Sequence, residues 1–156
     1  MSTAPEKQLV MNVLMTADSA NFSGNVHGGR LLSLLDGVAY ACAARYSRRY
    51  VVTLSVDQMF FKEPIHVGDL VTFKAQINHT GRSSMEVGIR VEAEDLKSGL
   101  RRHTNTCYFT MVALDDSRRP ASVPPLLLES DDDRQRHAAA EQRREQRKAN
   151  AARAGR

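Results

Sequence analysis

Residues 21–44 read NFSGNVHGGRLLSLLDGVAYACAA, a loop that two glycines lead into one long apolar helix. From Leu31 onward, Leu31, Leu34, Leu35, Val38 and Cys42 recur at three- and four-residue spacing, the period of one helix face. Ala39, Ala41, Ala43 and Ala44 keep the remaining surface small enough for other elements to pack closely. The spacing predicts a helix buried nearly all round.

Downstream of that helix the period changes from helical to alternating. Tyr50 to Phe61 (YVVTLSVDQMFF) is rich in β-branched and aromatic residues, with Val52, Leu54 and Val56 alternating against Thr53, Ser55 and Asp57. That pattern predicts a half-buried strand with the three apolar residues inside. Pro64 and Gly68-Asp69 mark a turn, Leu70 to Asn78 alternates again, Gly81 to Ser84 turns back, and Met85 to Ala93 forms the next strand. Lys97-Ser98-Gly99 turns once more, and Arg101 to Leu114 is the last strand. Strands joined by short turns make an antiparallel meander, which buries the apolar helix by curling around it. The fold class expected is α+β, an antiparallel sheet wrapped around one long central helix, over residues 1–114.

Composition agrees with a single core: 156 residues of which 42% are hydrophobic. Cys42 falls on the helix and Cys107 in a strand, so both are expected as small core residues in a reducing compartment. The opening MSTAPEKQLVMNVLM lacks the basic and apolar regions of a signal peptide, and no stretch is long enough for a membrane span. A cytoplasmic protein is therefore expected. Beyond Leu114, residues 115–130 combine a polar, proline-rich linker with an apolar peg, Leu126-Leu127-Leu128, suited to docking back. Residues 131–156 carry eight basic and five acidic side chains, which supplies three of the four net positive charges of the chain. Acids at the start and bases at the end complement a helix dipole, but no apolar stripe holds the segment down. A frayed, solvated helical tail is expected, and its acids argue against a nucleic-acid or membrane-surface arm.

The helix also carries chemistry. A carboxylate on an apolar helix costs several kcal/mol unless it is hydrogen-bonded or paired, which singles out Asp36. Gly28 and Gly29 lack a Cβ, so a substrate can approach the first amides of the helix, which have no intrahelical acceptor and lie at the positive end of its dipole. Asn21, fifteen positions before Asp36, can donate to a carbonyl or accept from a water. His27 either acts as a base or orients the loop through a backbone hydrogen bond. The five histidines show no ligand spacing, which argues against a metal site.

Asp18, Asn21, Gly24, Gly28, Gly29 and Asp36 together resemble the pattern of the hotdog-fold acyl-CoA thioesterases, specifically the cytosolic acyl-CoA hydrolase group, with one residue more between Asp18 and Asn21 than its shortest form. A second stretch is similar as well: Phe61, Pro64, Ile65, Val67, Gly68 and Asp69, followed by the turn Thr80-Gly81-Arg82-Ser83-Ser84. The resemblance covers residues 8–129. It implies a hotdog fold and hydrolysis of an acyl-CoA thioester to a free acid and CoA, with no cofactor besides the coenzyme A of substrate and product. It also implies a site between two protomers, Asn21 from one and Asp36 from the other, in a dimer or a trimer of dimers. Carried over, Asp36 activates water as general base or attacks the carbonyl itself, Asn21 positions water or carbonyl, and the Gly28 and Gly29 amides bind the oxyanion. Met59, Phe60 and Phe61 are candidates to line the acyl or pantetheine channel, and Arg82, Ser83 and Ser84 to hold the CoA phosphates. Two rivals remain. A non-catalytic acyl-CoA sensor keeps the pocket, but such regulators append a DNA-binding domain, and only about seven residues precede the first strand here. A hydroxyacyl-thioester dehydratase would depend on His27.

Overall fold

The computed structural model describes residues 4–155. Five strands, β1 (Gln8–Leu14), β2 (Tyr50–Val56), β3 (Leu70–Thr80), β4 (Ser84–Glu94) and β5 (Arg101–Leu114), form one sheet in the order β1-β3-β4-β5-β2, antiparallel throughout. Helix α1 (Gly28–Ser47) lies in its concave side and helix α2 (Asp131–Ala154) packs against β3. This is the hotdog arrangement.

The core follows from two periods meeting. Leu31, Leu35, Val38, Ala39, Cys42, Ala43 and Tyr46 line one face of α1. They meet alternate residues of the sheet, among them Phe73 and Ile77 of β3, Val87 and Ile89 of β4, and Phe109 and Met111 of β5, all of them fully buried. Each such side chain contributes roughly 1.5–3 kcal/mol relative to exposure. The helix ends where Arg48 adopts a left-handed conformation, φ 57°, and donates its backbone N–H to Ala44.

Three expectations are corrected. Helix α1 is not buried all round: Leu32, Asp36 and Tyr40 are exposed along one stripe of the single chain. Strand β2 stops at Val56 instead of Phe61, and Val51, Thr53 and, beyond a bulge, Val56 pair with Ala113, Met111 and Phe109 of the buried β5 row. From Tyr50 to Thr53 the alternation is opposite to the one expected, and the bulge between Thr53 and Ser55 of this edge strand then shifts the register, so that Val56 returns to the inward row. Leu54, at the bulge, and Val56, at the end of the edge strand, are both exposed in the single chain.

The third correction concerns the tail, which is neither frayed nor free. Ser130 caps α2 by accepting from the Asp133 N–H at 3.0 Å, and the helix then lies along the outer face of the sheet. No apolar stripe was needed, because charged groups attach it. Glu86 of β4, almost wholly buried, receives Arg143 at 2.7 and 3.1 Å, Arg147 at 3.3 Å and the Asn78 amide at 3.1 Å. The Arg143 guanidinium also sits 3.6 Å above the Tyr108 ring, Arg147 reaches Asp57 at 2.9 Å, and Lys7 meets Asp133 at 2.6 Å. Ala140 is the small residue that lets the helix approach this closely. The linker docks too, through Val123 and Leu126, with Tyr46 donating to the Pro124 carbonyl at 3.0 Å; Leu127 and Leu128 of the expected peg stay exposed.

Burial alone would raise the pKa of Glu86, but the hydrogen bonds from Arg143 and Asn78 and the charges of Arg143 and Arg147 outweigh it, and the net shift is below the ordinary 4.5. A lowered folded value means that its stabilising contribution is complete above pH 4.5 and is lost as the pH falls through that lower value. Thermal melts should therefore show the Tm falling more steeply below about pH 4.5 in wild type than in Glu86→Gln. At neutral pH, Arg143→Ala should cost about 2–3 kcal/mol, less than stripping a buried carboxylate of every partner because Arg147 remains.

Candidate active site

The loop before α1 is built around Asn21. Its side-chain Oδ1 accepts from the Ser23 N–H at 2.9 Å, the Ser23 hydroxyl at 3.0 Å and the Asn25 N–H at 3.1 Å. With the oxygen saturated, only the Nδ2 hydrogens of Asn21 remain for a ligand, so this residue donates and does not accept. The second sequence motif braces that loop. Val26 donates its N–H to the Ile65 carbonyl at 2.7 Å, Asn25 meets His66 Nδ1 at 2.9 Å, and buried Asp69 ties the turn together by accepting from the His66 N–H and from Arg102.

His27 caps α1: its Nδ1 accepts from the Gly29 N–H at 3.0 Å. That bond fulfils the loop-orienting role and occupies the Gly29 amide, so Gly28 is the glycine whose N–H has no partner among the described residues. A Cβ on Gly28 would meet nothing within 4 Å, and one on Gly29 only the His27 ring. Gly29 keeps room for the capping His27 ring, which a Cβ would press at 3.2 Å, whereas Gly28 is not demanded by the chain's own packing and leaves space for something from outside to approach the helix terminus.

Asp36 lies on the exposed stripe of α1, and Thr53 of β2 donates to its Oδ1 at 2.6 Å. Its Oδ2 has no partner among the described residues. Thr53 falls where the sequence pattern puts the solvent-facing side of the strand, and its pairing with Met111 of the buried β5 row, just before the bulge, turns it toward the helix. The apolar residues around the pair, Leu32, Tyr40, Leu54 and Val56, are all exposed in the single chain.

The remaining candidates divide between these two places. Met59 is partly buried against the core, while Phe60 and Phe61 protrude from the segment after β2. Arg82, Ser83 and Ser84 form the β3–β4 turn, closed by the Gly81 N–H on the Ser84 carbonyl at 2.8 Å. Ser84 pairs with Val112 of β5, and Val112 with Val52 of β2, so the turn sits beside the Asp36–Thr53 half of the chain, at the opposite end of β3 from the brace around Asn21. Eight residues separate Gly28 from Asp36 along α1, about 12 Å at 1.5 Å per residue.

Cys42 and Cys107 take no part: burial pushes both thiols up to about 12, so neither supplies a thiolate. No helix among the described residues is long and apolar enough to cross a membrane.

Comparison with known proteins gives concordant matches. The family model described as the thioesterase superfamily matches residues 23–100. Protein VdlD of Helicobacter pylori is 50% identical over 124 residues, which covers 80% of this chain and 71% of that protein. A hexameric acyl-CoA thioesterase solved in the apo state is 34% identical with a TM-score of 0.89, covering 93% of both chains. An acyl-CoA hydrolase from Staphylococcus aureus, solved with butyryl-CoA, CoA and CoA disulfide, is 30% identical with a TM-score of 0.87, covering 95% of this chain and 90% of that one. The staphylococcal enzyme has also been solved with an Asn, an Asp and a Thr each changed to Ala, at positions fifteen and then seventeen residues apart.

Proposed function

Because this chain belongs to the thioesterase superfamily, as a hotdog-fold acyl-CoA thioesterase, we propose that it hydrolyses acyl-CoA at a site completed by a second copy of itself. Asn21, Asp36 and Thr53 stand at the same two intervals as the three residues altered in the staphylococcal enzyme. The observation that carries the shared site is the separation along α1, about 12 Å between the free Gly28 amide and Asp36. Two protomers related by a two-fold axis bring the glycine end of one helix to the carboxylate of the other. The exposed β2 edge, with Leu54 and Val56 on it, is the surface that such pairing would cover. Three such dimers would make the hexamer seen in the apo thioesterase relative.

In this arrangement the thioester carbonyl lies against the Gly28 N–H and the Asn21 Nδ2 hydrogens of one protomer. Asp36 of the other is held by Thr53 through Oδ1, which leaves Oδ2 to take a proton from water as the water oxygen attacks the carbonyl carbon. The oxyanion so formed is stabilised by the two donors. Its collapse breaks the C–S bond, releases CoA and returns the proton from Asp36 to the products. Attack by Asp36 itself, through an acyl-carboxylate anhydride that water then opens, uses the same contacts. The Arg82-Ser83-Ser84 turn offers a guanidinium and hydroxyls for CoA phosphates, and Phe60 and Phe61 offer apolar surface for the acyl or pantetheine chain.

Release of free thiol from a panel of acyl-CoAs tests the activity. In that assay Thr53→Val, which keeps the side-chain volume and removes only the hydroxyl, should lose about tenfold in kcat with little change in KM, since it unfixes the base and touches no substrate. An unchanged kcat in Thr53→Val would remove Thr53 from the mechanism. No thiol release from any acyl-CoA would remove the function.

A further inference from the structure

Docking of α2 assembles a group of side chains on the outer face of the sheet, away from the Asp36–Thr53 pair. His79 of β3, nearly buried, places Nε2 2.7 Å from Glu141 Oε1, and His137, one turn before Glu141 on α2, places its own Nε2 3.9 Å from the same oxygen. The two imidazole rings lie almost parallel, 20° between planes and 4.8 Å between centroids, with both Nε2 edges turned to the one carboxylate. All three donor atoms fall within 4.8 Å of one another.

From this geometry we infer that His79, His137 and Glu141 form a binding site for a divalent zinc-like cation that clamps α2 to β3. Two imidazole nitrogens and one carboxylate oxygen are the donors of a borderline transition metal; magnesium and calcium prefer oxygen alone. Tetrahedral zinc with bonds of about 2.0–2.2 Å holds its donors roughly 3.3–3.5 Å apart. The separations of 2.7 and 3.9 Å from the carboxylate oxygen lie on either side of that range, and since two near-parallel rings 4.8 Å apart cannot both hold one ion in their planes, the partly exposed His137 ring must turn about its side-chain torsions to aim its Nε2 lone pair at the ion. The two helix residues, i and i+4, share a face, and the third ligand comes from a strand 58 positions before His137. His137 and Glu141 are partly exposed, which gives the ion a route in and room for a water as fourth ligand. On binding, His79 gives up its present hydrogen bond to Glu141: the Nε2 proton is released to solvent or replaced by one on Nδ1, and the Nε2 lone pair then goes to the metal. The linkage is structural: nothing in the proposed hydrolysis passes through it.

The test uses the full chain, stripped with a chelator and titrated with ZnCl2 by calorimetry, alongside His137→Ala and Glu141→Gln, both altered at partly exposed positions on α2. One Zn2+ per chain is expected in wild type. Each variant should bind at least tenfold more weakly, since even the loss of an outer-shell partner costs 10–100-fold. At about 100-fold excess over the wild-type Kd, Zn2+ should raise the wild-type Tm by roughly 5 °C or more and the variants by no more than about half as much. Absence of saturable binding in wild type up to about 1 mM would reduce the cluster to an ion pair that locks the helix, and overturn the site. Equal affinity in wild type and both variants would place the zinc elsewhere and overturn it as well.

Discussion

Asp36→Ala should fold as the wild type does and lose on the order of 10²–10⁴ in kcat, the range typical of removing a catalytic acid or base. Both halves of that expectation follow from its surroundings. The carboxylate is exposed in the single chain and its one partner is the Thr53 hydroxyl, so truncation opens no cavity and leaves no charge buried alone. The Tm should then stay within a few degrees of wild type. KM should change little, because the groups assigned to the CoA phosphates lie on the Arg82-Ser83-Ser84 turn and not on α1. Thiol release with saturating acyl-CoA, run on a protein whose melt has been checked, measures both. A folded Asp36→Ala enzyme with near-normal turnover would falsify the assignment of Asp36 and, with it, the catalytic role of Thr53.

Mixing two dead enzymes should restore activity. Asn21→Ala and Asp36→Ala, each nearly inactive alone, are denatured together in equal amounts and refolded so that protomers pair at random. Half the dimers formed are then mixed. If a site takes Asn21 from one chain and Asp36 from the other, each mixed dimer holds one site with both residues intact and one with neither. Activity should return to roughly a quarter of wild type by the two-fold symmetry of such a pair. The gain over either parent is on the order of 10²-fold if each parent retains well under a hundredth of wild-type activity. Were both residues to act within one chain, every site would lack one of them and the mixture would stay as inactive as its parents. That outcome would end the shared-site mechanism while leaving thioester hydrolysis standing.

The sequence carried more of the fold than of the site, and the reason lies in what each depends on. The α1 face and the inner rows of β3, β4 and β5 are periodic, and periodicity survives in a one-dimensional string. β2 did not read correctly, because Thr53 takes the place beside Val51 in the row facing the helix while Leu54, at the bulge of an edge strand, stays exposed within its own chain. Thr53 was invisible for the same reason. Gly28, Asn21 and Asp36 stood out as residue types that are costly or unusual where they occur, but which donors remain free was not legible: that the Asn21 oxygen and the Gly29 amide are already engaged appears only in three dimensions. The tail shows the converse failure. An apolar stripe is the only attachment that local periodicity can reveal, whereas α2 is held by Arg143 and Arg147 on buried Glu86, partners 57 and 61 positions away. The His79–His137–Glu141 group was hidden likewise, although the four-residue step from His137 to Glu141 was a signal that could have been read.

The strand order also fixes the sequence of events in which this chain can close. β3, β4 and β5 are joined by short turns, so their pairing needs only brief loop closures and can begin as soon as they exist. The two edge strands must wait: Gln8 pairs with Gln76, and Tyr50 with Leu114. During synthesis from the N-terminus, β1 and the whole of α1 therefore emerge without a partner sheet, and apolar residues such as Leu31, Leu35 and Val38 stay exposed until β3 to β5 have followed. Helix α2 arrives last of all, and until it does the Glu86 carboxylate and the outer faces of β3 and β4 are open to water. A nascent chain of this protein is consequently at its stickiest while its first half waits for its second, the interval in which a chaperone would have most to hold.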